Sequence, residues 1–153
     1  MQNNDGGFYA ECTVKGSVYY PDSLIVNNHT QTVLSRHNAN SDLIWIKIFD
    51  DISVSDFGTT FVKDKDGSVI YTGMFNNQIQ IGSFTLTENN TGSEAYVCKI
   101  SPEGNVLWAK ALGNGEVTSN INVTTDKSSN VVVAYVLPPK NILIKFDAQG
   151  NKL

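Results

Sequence analysis

The feature that most constrains the fold is an internal repeat with a period of about 62 residues. Trp45 and Trp108 lie 63 positions apart, in the similar segments DLIWIKIF and NVLWAKAL. A fixed period of this size indicates a tandem array, in which each supersecondary unit buries its apolar surface against its neighbours. The repeat therefore predicts a small array of stacked units rather than one ordinary domain.

The other segments of the chain follow nearly the same period. FVKDKDGSVIYTGMF, from Phe61 to Phe75, aligns with VTTDKSSNVVVAYVL, from Val123 to Leu137, at an offset of 62 residues. Asp5-Gly6-Gly7 matches Asp66-Gly67-Ser68 loosely. The final segment ILIKFDAQGNKL aligns with YVCKISPEGNVL at a shorter offset of 46, which the Pro138-Pro139 turn explains. We therefore expect one repeat region over residues 1–153, with a partial unit at about 1–50, a full unit at about 51–112 and a partial unit at about 113–153.

Each repeat has the pattern of four β-strands joined by short turns. The seven-residue apolar run Val131–Leu137 is typical of a strand that is buried on both faces. The alternating segment Gln78–Thr87 predicts a small hairpin or an outer strand pair between the second and third strands. Tandem four-stranded antiparallel sheets are the signature of β-propeller blades, so the sequence predicts an all-β, incomplete propeller. A β-sandwich is the alternative, but it explains the strands without explaining the period.

Composition and charge exclude two classes of partner. Charged residues make up only 17% of the chain, the net charge is −4 and the isoelectric point is about 5.0. Lys and Arg form no cluster, so we expect no nucleic-acid binding. No apolar run approaches the roughly 20 residues of a membrane helix, so we expect no membrane insertion.

Two segments resemble a known family. AYVCKISPEGNVLWAKALG and DKDGSVIYTGMF are similar to the two halves of the bacterial SBBP-type β-propeller repeat. The resemblance implies about 2.5 blades of a secreted or cell-surface bacterial protein that has no cofactor. The stretch around GNVLW is more weakly similar to the docking motif of quinoprotein propellers, whose repeats are shorter.

The function implied by this resemblance is a non-catalytic scaffold or binding surface for a protein or a surface glycan. The alternative is an enzyme propeller, either a glycoside hydrolase or a quinoprotein dehydrogenase. A closed propeller needs at least about four blades. We therefore expect either a fragment of a longer protein or a ring that closes by self-association through open blade edges.

The residues that recur between repeats are expected to form the structural core of the blades. A side chain that returns at the same strand position usually packs between neighbouring repeats, so this interpretation is favoured over a sugar-binding platform. The candidate core residues are Trp45, Trp108, Tyr71, Tyr96, Ile100 and Gly104.

Acidic residues provide the candidate sites. Asp50, Asp51 and Asp56 are a binding hypothesis, since paired carboxylates also serve glycoside hydrolysis. Asp64 and Asp66 have the Asp-x-Asp spacing of a calcium loop, but further ligands are missing, so turn capping is favoured and no metal is expected. For the first group, solvated loop acids are the favoured interpretation.

Cys12 and Cys98 are too few for a disulfide scaffold and show no metal-ligand spacing. We expect two buried free thiols, with a bridge between them as the less favoured alternative.

Overall fold

The computed structural model of the chain describes residues 6–20, 23–49, 60–88, 92–113 and 119–153. All of the regular structure within these ranges is β-strand, so none of it is a helix that could cross a membrane. The strands are β1 (Phe8–Tyr20), β2 (Ser23–His37), β3 (Leu43–Phe49), β4 (Thr60–Lys63), β5 (Val69–Phe75), β6 (Gln78–Ile81), β7 (Phe84–Thr87), β8 (Glu94–Ile100), β9 (Val106–Ala111), β10 (Ser119–Thr125), β11 (Val131–Leu137) and β12 (Lys140–Phe146).

The strands form three antiparallel sheets and one hairpin. The first sheet has the order β1-β2-β3, the second sheet β4-β5-β8-β9 and the third sheet β10-β11-β12, while β6 and β7 pair only with each other. In all three sheets, strands that pair follow one another along the chain apart from the inserted hairpin. The second sheet thus has four antiparallel strands, which is consistent with a propeller-like blade.

Strand registers confirm that the sheets are copies of one unit. Arg36 lies opposite Trp45 in the first sheet, and Lys99 lies opposite Trp108 in the second. Both sheets have a β-bulge immediately after this cation, between Arg36 and His37 and between Lys99 and Ile100. A bulge bends the strand and leaves one residue unpaired. The two sheets therefore share a local irregularity as well as a strand order.

The sheets stack face to face, and each sheet has a forward face and a rear face. We define the forward face as the one that carries Arg36 in the first sheet, Lys99 in the second and Lys145 in the third. One apolar cluster joins Tyr9 and Leu34 of the first sheet to the rear face of the second sheet. A second cluster joins the forward face of the second sheet to Val131 and the rest of the rear face of the third sheet.

Burial differs between the second and third sheets. Every residue of β5 and β8 is buried, because sheets pack on both of their faces. In contrast, β11 and β12 alternate between buried and partly or fully exposed residues. The expectation that Val131–Leu137 is buried on both faces is therefore wrong for this structure. Its rear face is buried against the second sheet, and no described strand packs on its forward face.

The same five-residue turn occurs five times at one end of the sheets, four times between strands and once after β12. In each turn the first residue's amide donates to the fifth carbonyl, and the fourth residue's amide donates to the first carbonyl. The fourth residue has a positive φ, as in a type I turn with a G1 bulge. The turns are Asn38–Asp42, Asp64–Ser68, Ser101–Asn105, Asp126–Asn130 and Asp147–Asn151.

Connections between the second and third strands of each repeat vary in length. In the second sheet this connection contains the hairpin of β6 and β7, which confirms the hairpin predicted for Gln78–Thr87. Ile79 and Ile81 are buried in the cluster between the first and second sheets, so the hairpin also covers part of that interface. In the third sheet the connection shrinks to Pro138-Pro139, and β12 pairs with β11 along its whole length, as the sequence predicts.

Candidate functional site

Both tryptophans dock onto a turn of the next sheet. The indole nitrogen of Trp45 donates to the carbonyl of Pro102 at 2.8 Å, and that of Trp108 donates to the carbonyl of Ala148 at 3.1 Å. Each ring lies over a turn glycine. A Cβ added at Gly104 would lie 3.0 Å from the Trp45 ring, and one at Gly150 would lie 2.7 Å from the Trp108 ring. The structure thus gives the two tryptophans the same packing role in consecutive sheets.

The other repeated residues lie at the centre of the second sheet. Tyr71, Tyr96 and Ile100 are completely buried in the cluster with the first sheet. The ring of Phe49 stacks on Tyr71, with centroids 4.4 Å apart. Trp108 is also buried, whereas Trp45 packs at the partly exposed edge of its cluster. Gly104 lies in its turn rather than among these side chains.

An ion cluster occupies the place where the sequence suggested a weak calcium candidate. The Lys99 ammonium lies 2.7 Å from a carboxylate oxygen of Asp64 and 3.1 Å from one of Asp66. Lys99 and Asp64 are both almost completely buried, while Asp66 is about half exposed. The ammonium therefore already supplies the positive charge that would draw a cation to these two carboxylates.

Turn capping is divided between the two acids of this cluster. One oxygen of Asp64 accepts the amide of Lys65, and Asp66 accepts the amide of Ser68 at 2.8 Å. In the equivalent turn of the third sheet, Asp126 alone accepts the amides of both Ser128 and Asn130. In the second sheet, capping is thus shared between two carboxylates. Asp64 binds the Lys99 ammonium and the Lys65 amide, and Asp66 binds the Ser68 amide.

The pKa values of the cluster follow from these contacts. Burial by itself lowers the pKa of Lys99, but the hydrogen bonds to Asp64 and Asp66 outweigh it, so the pKa is raised. Partial burial raises the pKa of Asp66, but the Ser68 amide and the Lys99 ammonium outweigh that effect and lower it. Both shifts favour the charged forms that the cluster needs.

Lys99 is the charged residue that the sequence analysis did not single out. It lies in the otherwise apolar strand AYVCKI, where a buried ammonium requires a buried counter-ion. That charge in an apolar run is the signal that would have pointed to Asp64. Among the described residues, no three His, Cys, Asp or Glu side chains form a group that would hold a metal ion.

The remaining acidic candidates and the cysteines have separate outcomes. Asp50, Asp51 and Asp56 lie outside the described residues. Cys98 is a buried free thiol, as expected, but the expectation of a buried Cys12 is wrong. Cys12 is exposed even though Val33, which lies opposite it on β2, is buried. Partial burial and the neighbouring Glu11 raise the pKa of its thiol.

A groove runs between strand β3 and the inserted hairpin, and we call it the strand groove. One cavity, of about 250 Å³, is lined by β3 residues and the end of β6, together with Gly82 and Val106. A second cavity, of about 360 Å³, extends along β6 to Thr85. Ile48 and Gln80 line both cavities, so the two cavities are adjacent along β3 and β6.

The two walls of the strand groove are strands at the edges of their sheets. β3 is the last strand of the first sheet, and β6 belongs to a two-stranded hairpin, so no other described strand pairs with one backbone edge of each. The side chains along the groove are of three kinds: apolar at Ile46 and Ile48, amide at Gln78 and Gln80, and cationic at Lys47. Such edges and mixed side chains suit an extended polypeptide, which binds through backbone hydrogen bonds.

Comparison with known proteins yields one relative of interest. The chain is 31% identical over 137 residues to "Uncharacterized WD repeat-containing protein L264" of Acanthamoeba polyphaga mimivirus. The match covers 85% of this chain but 10% of the relative, so the chain spans about a tenth of the length of the curated relative that it matches. No family model matches the chain. The fold is all-β, with several small antiparallel sheets that are consistent with propeller-like blades.

Proposed function

We propose that the chain is a non-catalytic β-propeller repeat segment, which serves as a scaffold and binds an extended segment of a partner protein in the strand groove. The observation that carries this proposal is the groove itself, which is lined by β3 and β6, each the end strand of its sheet among the described strands. A relative described as WD repeat-containing supports the repeat-scaffold part of the proposal.

The residues that recur at equivalent positions of the repeats support a scaffold role through their contacts. Trp45 and Trp108 are engaged in docking one sheet onto the next. Lys99 is neutralised by two carboxylates of its own sheet. The residues that recur in the repeat are thus occupied by packing, which leaves the variable connections, such as the inserted hairpin, to supply binding specificity.

A secreted or cell-surface bacterial setting is part of the same proposal, and the resemblance to SBBP-type repeats supports it. A surface glycan is the alternative ligand. The SBBP resemblance allows either ligand, but the strand groove favours a polypeptide because backbone edges recognise another backbone.

The test of the ligand class uses two probes on the purified chain. A phage-displayed library of random linear peptides and an array of bacterial surface glycans are each incubated with the wild-type chain and with Gln80→Arg, which fills the groove. Gln149→Arg is the matched control, because Gln149 is exposed in a turn remote from the groove. We expect peptides to be enriched by the wild type and by Gln149→Arg, but not by Gln80→Arg. Enrichment of glycans alone, or equal peptide enrichment by Gln80→Arg, would contradict the proposal.

The enzyme alternative rests on Asp50, Asp51 and Asp56, which the sequence singled out as carboxylates for glycoside hydrolysis. It is tested by measuring the release of reducing sugar from a panel of polysaccharides by the wild type and by a triple Asp→Asn variant. Activity that the triple variant loses would replace the scaffold proposal with a hydrolase.

A further inference from the structure

Of the described residues that line the strand groove, Lys47 alone is charged. The others are apolar or carry a neutral amide or hydroxyl group. Lys47 is partly buried, and no ion pair that joins two described residues involves it. A partly buried ammonium has lost some of its hydration, so a carboxylate that entered the groove would be bound through a charge-assisted hydrogen bond. The groove therefore offers a local positive charge to its ligand.

The polar side chain that lines both cavities already has partners within the hairpin. The amide nitrogen of Gln80 donates to the Gly82 carbonyl at 2.8 Å, and the Thr85 hydroxyl donates to the Gln80 side-chain oxygen at 2.6 Å. A ligand would gain less from Gln80 than from Lys47, because a new hydrogen bond to this amide replaces an existing one. The charge of Lys47 is therefore the stronger determinant of which segment binds.

Lys110 occupies the equivalent position of the second sheet and lacks this setting. It lies opposite Val97, as Lys47 lies opposite Leu34, but it is exposed and lines neither cavity. The inserted hairpin, rather than the position in the repeat, thus makes Lys47 part of a groove. The net charge of the whole chain is −4, so long-range electrostatics disfavour an acidic ligand. A preference for acid would therefore be a local property of the groove.

Strand geometry determines what should flank the acidic residue. Side chains alternate between the two faces of a strand, so Lys47 lies on the forward face, and Ile46 and Ile48 lie on the rear face. Ile46 is opposite Ser35 and Ile48 is opposite Val33, and both of these β2 residues are buried. A segment that pairs along β3 with one residue opposite Lys47 would place the two adjacent residues beside the isoleucines. Cross-strand pairs of opposite charge and of apolar side chains both stabilise strand pairing.

We infer that the strand groove selects an extended segment in which an acidic side chain lies opposite Lys47, with an apolar residue immediately before and after it. The inference rests on the proposed peptide binding and specifies the class of sequence that the groove takes. The acid is an internal Asp or Glu rather than a chain terminus, because Ile46 and Ile48 line the groove on both sides of Lys47.

The experiment is isothermal titration calorimetry of the purified chain with short synthetic peptides. Three probes have acetylated and amidated ends and differ only at the central residue, which is Glu, Gln or Lys between two valines. We expect the wild type to bind the Glu probe about two- to fivefold more tightly than the Gln probe, as for other solvent-accessible ion pairs, and the Lys probe most weakly. High salt should reduce this difference, because it screens the charges.

Variants of Lys47 assign the preference to this residue. Lys47→Gln should bind the Glu and Gln probes equally, and Lys47→Glu should bind the Lys probe more tightly than the Glu probe. A variant that had merely unfolded would not show such a reversal. Lys110→Glu is the matched control, because it makes the same change of charge at the equivalent strand position outside the groove. It should keep the order of the wild type.

The outcomes separate this inference from the proposed function. Equal binding of the three probes by the wild type, or the same reversal in Lys110→Glu as in Lys47→Glu, would overturn the inference and leave peptide binding intact. Library peptides that bind without an acidic residue between apolar ones would do the same. A fourth probe that ends at the central Gln in a free carboxylate tests the chain terminus, and tighter binding of it than of the Glu probe would also overturn the inference. No binding of any probe, with no enrichment from the library of linear peptides, would overturn the proposed function and the inference together.

Discussion

Lys99 and Lys145 occupy equivalent positions in consecutive sheets, but their environments differ. Lys99 is almost completely buried and binds both Asp64 and Asp66. Lys145 forms a single ion pair with Asp126 at 3.0 Å, in which both side chains are more than a third exposed. The difference arises because the third sheet covers the face that carries Lys99, whereas no described strand covers the face that carries Lys145.

This comparison shows that the repeat sequence specifies the position of the cation but not its burial. The number of acids nearby follows the same rule. A buried ammonium needs strong compensation for lost hydration, and the turn beside Lys99 supplies two carboxylates. A surface ammonium retains water and needs little compensation, and the turn beside Lys145 supplies one.

The largest expected difference comes from removing each lysine. Lys99→Met should reduce the free energy of unfolding by about 3–5 kcal/mol, because it leaves the buried carboxylate of Asp64 without a counter-ion. Lys145→Met should cost less than about 1 kcal/mol, as for other exposed ion pairs. Chemical denaturation of both variants measures the difference. Equal losses would show that burial does not separate the two sites.

A second test addresses the docking of Trp108, which joins the two sheets. Gly150→Ala should cost about 1–3 kcal/mol, because Gly150 has a positive φ and the new Cβ would contact the indole ring. Gly16→Ala is the control, since Gly16 also has a positive φ but has open space beside it. The excess loss in Gly150→Ala, measured by thermal unfolding, isolates the contact with the ring. No excess would mean that the ring does not pack tightly on this turn.

A smaller effect is expected from acid pH, which should reduce the contribution of Asp66 to the free energy of unfolding. The pKa of Asp66 is lowered from 3.8, so its contribution to stability is present above about pH 4 and disappears as the pH falls through the lowered value. Asp66→Asn should therefore lose less stability than the wild type between pH 7 and pH 3, by less than about 1 kcal/mol because Asp66 is half exposed. Urea denaturation at both pH values measures this. An identical acid loss in both proteins would contradict the role given to Asp66.

Calcium should not stabilise the turn that carries Asp64 and Asp66. The Lys99 ammonium lies between Asp64 and Asp66, and two carboxylates fall short of the six to eight oxygen ligands that calcium requires. The melting temperature in millimolar calcium should therefore equal that in a chelator. A rise of several degrees that Asp66→Asn abolishes would show that a cation can displace the ammonium.

The sequence was sufficient for the features that depend on the repeat. The spacing of Trp45 and Trp108 predicted equivalent strand positions, and the structure pairs each with a cation in the same register. The alternation of Gln78–Thr87 predicted a hairpin, which is present. These features are local, because strand length, turn type and side-chain alternation depend on neighbouring residues.

The features that depend on contacts between distant strands were less predictable. Asp64 was interpreted as a turn cap, because Lys99 is 35 residues away and its proximity follows only from the pairing of β5 with β8. The strand groove was not predicted at all, since β3 and β6 belong to different sheets. Cys12 is exposed while its cross-strand neighbour Val33 is buried, and the amino-acid pattern of β1 does not predict that difference.

The connection between the second and third strands of each repeat has a consequence for how such chains diversify. The structure accommodates a whole hairpin at this point in the second sheet and only Pro138-Pro139 in the third, while strand pairing is complete on both sides. Insertions at this one position therefore leave the turns at the opposite end and the docked tryptophans undisturbed. The position is a natural insertion point, where a foreign epitope or a new recognition loop of variable length can be grafted without redesign of the sheets.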